Sequence, residues 1–424
     1  MTAEAIAHGL IDALTEPDPS PLMVAVVAVE GGEMVEATTP EDAADLLFEV
    51  GSIAKTMTAT LLADLVLDGT ARLDDQVGTW LDAGDNADIT LEQLALHTSG
   101  LPRLASNAFD WAGFTLSDPY AGYTAAHAEE ALRAASREEV GTSAYSNFGY
   151  QLLGLALERA SGVEFAELLR ARLFEPLGMT GACVCGGSGR PRAQGHDSGR
   201  PVGHWSDLLA GAGGVDATAT DMAVYLQAIL SPPERAPGPA IRMALGPRID
   251  TERGKVGLGW QISAAGLTWH NGGTGGFRSC LAVDRASGRG ALVLANDTSL
   301  LHLDTAVMAA ASGADPRDSR PAPAGPDWEA LAREVGERIV AADWPAVEAA
   351  MSPATAEVLT RQRLAEAWAE LIAERGEPTT WTVTRATVIK GRTTALITID
   401  HTDASTDLSL TFDEQRRLVG ILVS

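Results

Sequence analysis

The stretch Phe48-Glu49-Val50-Gly51-Ser52-Ile53-Ala54-Lys55-Thr56-Met57-Thr58 runs from a glycine turn into a helix that carries a serine and a lysine three residues apart. Residues i and i+3 share a helix face, so the Lys55 amine reaches the Ser52 hydroxyl without help from the rest of the chain. Such a pair joins a nucleophile to a base, the arrangement that attacks a carbonyl and forms a covalent acyl intermediate. Ser52 also opens the helix, where unsatisfied N–H groups and the positive dipole end favour a developing oxyanion. A lone Ser-x-x-Lys arises by chance on solvated helix faces, and composition sharpens this one. Lys55, Lys255 and Lys390 are the lysines of the chain, with arginine supplying every other fixed positive side chain. A GC-rich coding background explains part of that scarcity. A desolvated lysine can lose its proton and act as a base, whereas arginine does not. Lys255 and Lys390 sit in the turn-like runs Arg253-Gly254-Lys255 and Lys390-Gly391-Arg392 and read as solvated charges. Lys55 instead lies in an apolar, small-residue helix, Ile53 to Leu67, near the end that disfavours a cation.

Two further segments carry groups such a pair needs. Tyr145-Ser146-Asn147 precedes a helix. Taken alone, Asn147 reads as an N-cap and Tyr145 as filler. Beside a Ser-Lys pair, however, a phenol can return a proton to the leaving group, and Asn147 can hold Lys55 or a substrate amide. In Trp269-His270-Asn271-Gly272-Gly273-Thr274-Gly275-Gly276-Phe277 an apolar strand ends in a histidine and glycines. Read simply, it is a strand-connecting turn. Read functionally, the glycines let backbone approach a ligand, and a backbone N–H of this run could complete an oxyanion hole with that of Ser52. It lacks the glycine spacing and the Lys-Ser/Thr pair of a phosphate loop. His97, in His97-Thr98-Ser99-Gly100, reads as a structural histidine bonded within its turn.

Composition excludes several functions. A net charge of −26 repels nucleic acid and anionic membranes, so the expected partner is a small molecule or a short peptide substrate. Met1 to Glu16 shows neither a basic stretch nor a long apolar run, which makes the cytoplasm the expected location. Cys183, Cys185 and Cys280 are odd in number and lack a Cys-x-x-Cys pair, so free thiols are expected. Neither a metal nor another cofactor is expected, there being no His-Glu-x-x-His. No Gly-x-Ser-x-Gly elbow occurs, which disfavours an α/β-hydrolase.

The elements that position these residues follow from periodicity. Ala3 to Leu14 reads as a helix and Leu22 to Val29 as a buried strand, turning at Glu30-Gly31-Gly32. Helices follow at Asn147 to Ala160, Phe165 to Phe174 and Asp221 to Leu230, then strands at Leu258 to Ser263, Leu267 to His270, Phe277 to Val283 and Ala291 to Ala295. Strands at both ends with helices between imply one antiparallel sheet flanked by helices plus a helical subdomain, an α+β fold with the site at the seam. Gly186 to Gly203 and Ser106 to Tyr123 read as loops over it. Residues 1–312 form this catalytic domain, 313–326 a Pro/Ala-rich extended linker, and 327–424 a small α+β domain of helices followed by three or four strands. Its element order is similar to that of NTF2-like domains. A lid, spacer or oligomerisation role is expected of it.

Ser52-Ile53-Ala54-Lys55, Tyr145-Ser146-Asn147 and His270-Asn271-Gly272, in that order, resemble the three motifs of the class C β-lactamase-like and penicillin-binding-protein-like serine hydrolases. Leu96-His97-Thr98-Ser99-Gly100-Leu101, Tyr150-Gln151-Leu152-Leu153-Gly154, Pro176-Leu177-Gly178-Met179 and Gly257-Leu258-Gly259-Trp260 add to the match over roughly residues 20 to 300. The resemblance implies that Ser52 attacks an ester, thioester or amide. Lys55 and Tyr145 would share the proton traffic, with His270 beside them, and which of the two is the base stays open. Asn147, Gly272, Gly273 and Trp260 would hold the oxyanion or substrate. Lactam-hydrolysing members usually carry Lys-Thr-Gly where this chain has His270-Asn271-Gly272. That removes a permanent cation and a hydroxyl, and points to the esterase and peptidase branch. A hydrolase of small esters or amides leads. An acyltransferase or peptide cyclase of natural-product assembly stands next, and a non-catalytic acyl-binding module third.

Overall fold

The computed structural model describes residues 1–15, 22–108, 118, 120, 122–197, 199–205, 210–252, 254–389, 392–402 and 404–423. Lys390 and most of the 106–123 loop's centre lie outside them. Two compact units result, Met1–Asp318 and Ser319–Ser424.

The first unit is built on an eight-stranded antiparallel sheet. Its order is Glu33–Thr39, Val24–Glu30, Arg289–Ala295, Arg278–Asp284, Thr268–Gly273, Trp260–Ser263, Gly254–Gly257 and Ile249–Thr251. Val24 stands opposite Ala295, so the first strand pairs with the last. Both faces of the sheet are covered, which is why Val24–Glu30 is nearly continuous in apolar residues. Val24, Val26 and Ala28 pack under the helices Ala3–Thr15 and Leu303–Ser312, whereas Ala25, Val27 and Val29 join the core beneath the helical subdomain. Strand alternation thus splits one segment between two cores.

That subdomain centres on the helix Ala54–Leu67, buried along most of its length. A helix apolar or small on every side has no solvent face to present, and Thr56, Thr58 and Thr60 bond carbonyls instead of water. The helices Gly238–Leu245 and Asn147–Ser161 pack against it, while the helix Ala219–Leu230 lies on the sheet and reaches it through the Tyr225–Thr56 hydroxyl contact at 2.8 Å. The 186–203 segment, expected as loop, contains a short pair of strands, His196–Asp197 with Arg200–Pro201. Cys183, Cys185 and Cys280 are free thiols.

In the second unit the helices Pro326–Val340, Trp344–Ala349, Pro353–Val358 and Arg361–Arg375 precede four antiparallel strands, Pro378–Ile389, Arg392–His401, Ser405–Phe412 and Leu418–Val423. Arg392–His401 alternates strictly in burial, and its Ala395, Ile397 and Ile399 meet Ala332, Val335 and Ile339 of the first helix. The segment expected as an extended linker is partly ordered. Pro316–Ser319 forms a 3₁₀ turn, and Ala322–Pro323 pairs with the edge of Pro378–Ile389. Among the described residues no helix is long and apolar enough to cross a membrane.

Candidate active site

Gly51–Ile53 forms a 3₁₀ turn that runs directly into the helix Ala54–Leu67. Ser52 lies in this turn and Lys55 three residues on in the first turn of the helix, so the two side chains fall on one face. Lys55 Nζ lies 3.0 Å from Ser52 Oγ. It also donates to the carbonyl of Ala212. The lysine is 0 % exposed, while Ser52 is half-buried and opens onto a cavity. A buried amine held against a hydroxyl is the arrangement that makes a serine nucleophilic.

The sheet supplies the second wall. Ser279 donates to the Val50 carbonyl at 2.8 Å, tying the turn to the strand pair Thr268–Gly273 and Arg278–Asp284. Backbone approaches backbone so closely here that only glycine fits. A Cβ on Gly272 would lie 2.1 Å from Val50 O and 3.0 Å from Ser52 N, and one on Gly51 (φ 53) would lie 2.6 Å from Gly273 N. Ser52 and Gly273 thus meet across this close approach, and both line the same cavity.

Tyr145 closes the third side. Lys55 Nζ is 5.0 Å from its ring centre, and the Arg103 guanidinium carbon lies 5.1 Å from that centre. The helix after it begins differently from expectation. Ser146, not Asn147, is the N-cap, accepting the Gly149 N–H at 2.9 Å. Both residue types cap well, and the chain uses the first. Asn147 is released from capping, and its Oδ1 is buried without a hydrogen-bond partner.

A cavity of about 490 Å³ is lined by Ser52, Tyr145, Asn147, Gly272 and Gly273. A second, of about 980 Å³, is lined by His97, Tyr145, Gln261, Trp269 and His270, and the two share Tyr145 and Asn271. Trp260 lines neither. It is 0 % exposed in the core, because strand alternation turns Gln261 outward and its neighbour inward. Gly259 explains that motif: a Cβ there would lie 2.8 Å from Lys55 O and 3.1 Å from the Tyr150 hydroxyl. The Gly257–Trp260 run braces the Lys55 helix from behind.

Two histidines flank the phenol, both neutral at pH 7. His270 Nδ1 lies 2.6 Å from the Asn271 carbonyl and must donate to it, leaving Nε2 unprotonated. Burial and then Lys55 push its pKa down to about 4. Burial, then Lys55, His270 and Arg103 hold His97 well below the ordinary histidine value.

Several wall residues lie outside the three motifs. Thr274 Oγ1 and Trp205 Nε1 are buried without hydrogen-bond partners beside the first cavity. Arg278 also lines it, donating Nε–H to the Thr298 carbonyl at 2.5 Å. Across from them, Glu49 accepts from Arg192 at 3.1 Å and His204 at 2.9 Å. Asp216 shares that arginine, and burial, offset by Arg192, raises its pKa to about 6. Glu49 sits three residues before Ser52 and Arg278 follows the glycine run, so sequence proximity was the available signal for both.

The family model described as Beta-lactamase matches residues 12–313. The chain belongs to the beta-lactamase family. As a member it is a serine hydrolase working by acyl transfer. Among curated relatives, this beta-lactamase-family chain is similar to the D-alanyl-D-alanine-carboxypeptidase/endopeptidase AmpH of Escherichia coli (strain K12), 28% identical over 282 residues, covering 59% of this chain and 71% of that protein. It is also 28% identical over 279 residues to a beta-lactamase of the same organism, covering 61% and 70% of the two chains. Among solved structures, a beta-lactamase/D-alanine carboxypeptidase from Pseudomonas syringae shares the fold with TM-score 0.61 and 19% identity, over 73% of this chain and 98% of that one. A class C beta lactamase from Rhodobacter sphaeroides does so with TM-score 0.59 and 23% identity, over 70% and 96%.

Proposed function

We propose that the protein hydrolyses small esters or amides through an acyl-enzyme on Ser52. The observation that carries this reading is the 3.0 Å contact between Ser52 Oγ and the fully buried Lys55 Nζ. Ser52 Oγ attacks the carbonyl carbon, and its proton passes into the Lys55–Tyr145 pair. The oxyanion is held by the N–H groups of Ser52 and Gly273. As the tetrahedral species collapses, the leaving group takes the proton back, and water, deprotonated by the same pair, then releases the acid and restores Ser52. Relatives named as D-alanyl-D-alanine carboxypeptidases support short peptide amides as one substrate class. Intact-protein mass spectrometry after exposure to a fluorophosphonate tests the reading. One adduct, absent from Ser52→Ala, is expected, and no adduct on the wild type refutes it.

A second reading is acyl transfer to an amine or alcohol. The cavity beside Tyr145 and His270 favours it, because it offers an acceptor room next to the proton-handling groups. Product analysis with an added amine separates the two: amide product in excess of free acid supports transfer.

A further inference from the structure

We propose that His97 is a positioning residue that fixes the Tyr145 phenol for proton transfer at Ser52. The inference rests on the reading of Tyr145 as a proton carrier.

His97 grips Tyr145 from both sides along the chain. Its carbonyl accepts the Ala144 N–H at 2.8 Å, and its Nδ1 accepts the Ser146 N–H at 3.1 Å. The imidazole lies against the phenol itself, ring centres 4.6 Å apart and planes inclined at 36°. Tyr145 is thereby fixed in backbone by two hydrogen bonds on flanking residues and in side chain by a ring contact, all from one residue. Neighbouring contacts extend the docking: Ser143 donates to the Leu96 carbonyl at 3.1 Å, and Gly141 N–H to the Thr98 carbonyl at 2.9 Å.

The residue type is specific to this task. His97 has φ 59, a left-handed conformation that few side chains adopt and in which Asn, Asp and His are enriched. That geometry is strained, and the surrounding bonds hold it. Accepting from Ser146 requires an unprotonated Nδ1, and burial beside Lys55 and Arg103 keeps the imidazole neutral. A purely structural histidine would need to satisfy its own turn. This one bonds across to the segment that carries the phenol.

The test uses the full chain and steady-state hydrolysis of p-nitrophenyl acetate. His97→Ala is expected to lower kcat at least about 30-fold with KM within about threefold, since only placement of a proton carrier is lost. His97→Asn tolerates the backbone and places Oδ1 where Nδ1 stood, so it should recover at least about tenfold of that loss. On a Tyr145→Phe background, His97→Ala should cost less than about threefold, because a residue acting through Tyr145 has nothing left to act on. An additive loss on that background, equal losses in His97→Ala and His97→Asn, a change confined to KM, or wild-type turnover in His97→Ala each overturns the proposal. Should His97→Ala fail to fold, His97→Gly, which accepts φ 59 without strain, replaces it. If Tyr145→Phe itself turns over like the wild type, the fault lies in the proton-carrier reading instead.

Discussion

Tyr150 donates its phenol to the carbonyl of Ala95 at 2.8 Å, which commits its proton to the backbone although the ring lies 5.7 Å from Lys55 Nζ. Burial pushes its pKa well above the ordinary tyrosine value, so it stays a neutral donor. Of the two phenols beside Lys55, only Tyr145 borders the cavity that Ser52 opens onto.

Exchange of the two tyrosines should therefore separate catalysis from stability. Tyr145→Phe is expected to lower kcat on p-nitrophenyl acetate by about 100-fold or more with little change in melting temperature. Tyr150→Phe leaves the Ala95 carbonyl with the Gly259 N–H, at 3.2 Å, as its remaining partner and should cost about 1 kcal/mol of stability while retaining most activity. Denaturant titration and initial rates on both variants decide it, and a silent Tyr145→Phe would remove the phenol from the mechanism.

Lys55 admits no replacement by a permanent cation. Lys55→Arg and Lys55→Met should each lose about a thousandfold in kcat/KM, because neither can accept a proton beside Ser52. Far-UV circular dichroism checks that the fold persists. Retained activity in the arginine variant would show that Lys55 contributes charge alone.

Adjacent glycines should respond oppositely. Gly272→Ala drives a Cβ to 2.1 Å from Val50 O and 2.4 Å from Ser279 Oγ, where the seam between turn and sheet must open. Misplacing that wall is expected to cost on the order of 100-fold in activity along with stability. At Gly273 the nearest atom to an added Cβ is Phe277 O at 3.8 Å, so Gly273→Ala should stay within a few-fold of wild type. Equal effects would place the oxyanion contact elsewhere.

His270 makes the fold sensitive to acid. Its folded pKa of about 4 lies below the ordinary 6.5, so between these values the unfolded chain binds more protons than the native one. Stability from this group is complete above about pH 6.5 and falls as pH drops towards 4, by about 2 kcal/mol between 6.5 and 5. Calorimetry at about pH 7 and about pH 5 should show the wild type losing more than His270→Gln. Parallel losses would mean that other groups carry the acid response.

A chromogenic cephalosporin should be turned over at least about a hundredfold less efficiently than p-nitrophenyl acetate. His270 supplies no fixed cation, and Asn271 commits one of its two Nδ2 hydrogens to Asp304 at 2.6 Å. Comparable kcat/KM values would overturn this.

The Ser52–Lys55 contact was legible because it is local: three residues along one turn suffice to make it. Tyr145, Asn147 and the Gly272–Gly273 strand end are distant in sequence, and order of motifs placed them at one cavity. What alternation and packing decide was harder to read. Trp260 looked like a site residue, yet the pleat sends Gln261 outward in its place. The capping choice between Ser146 and Asn147 turned on a single residue, with opposite meanings for which side chain stays available. Arg103 and Trp205 reach the site only through loop packing, which no periodicity encodes. His97 stands in a turn motif that sequence alone assigns to local bonding, but its Nδ1 serves the Ser146 backbone of another segment. The proline-rich run after the catalytic unit has the composition of a linker, though Ala322–Pro323 satisfies its backbone on a sheet edge.

The pairing of Val24 with Ala295 also bears on how the protein is made. Translation delivers Ser52 early, but the strand that flanks its own sheet partner emerges more than two hundred residues later. The nascent catalytic unit must therefore wait with an open sheet edge and a half-covered core, the state in which chains associate wrongly. Nonlocal closure of this kind is slow once the last strand arrives. A chain halted before residue 289 would carry every group named in the proton transfer and still lack the strand that joins the two ends of the sheet.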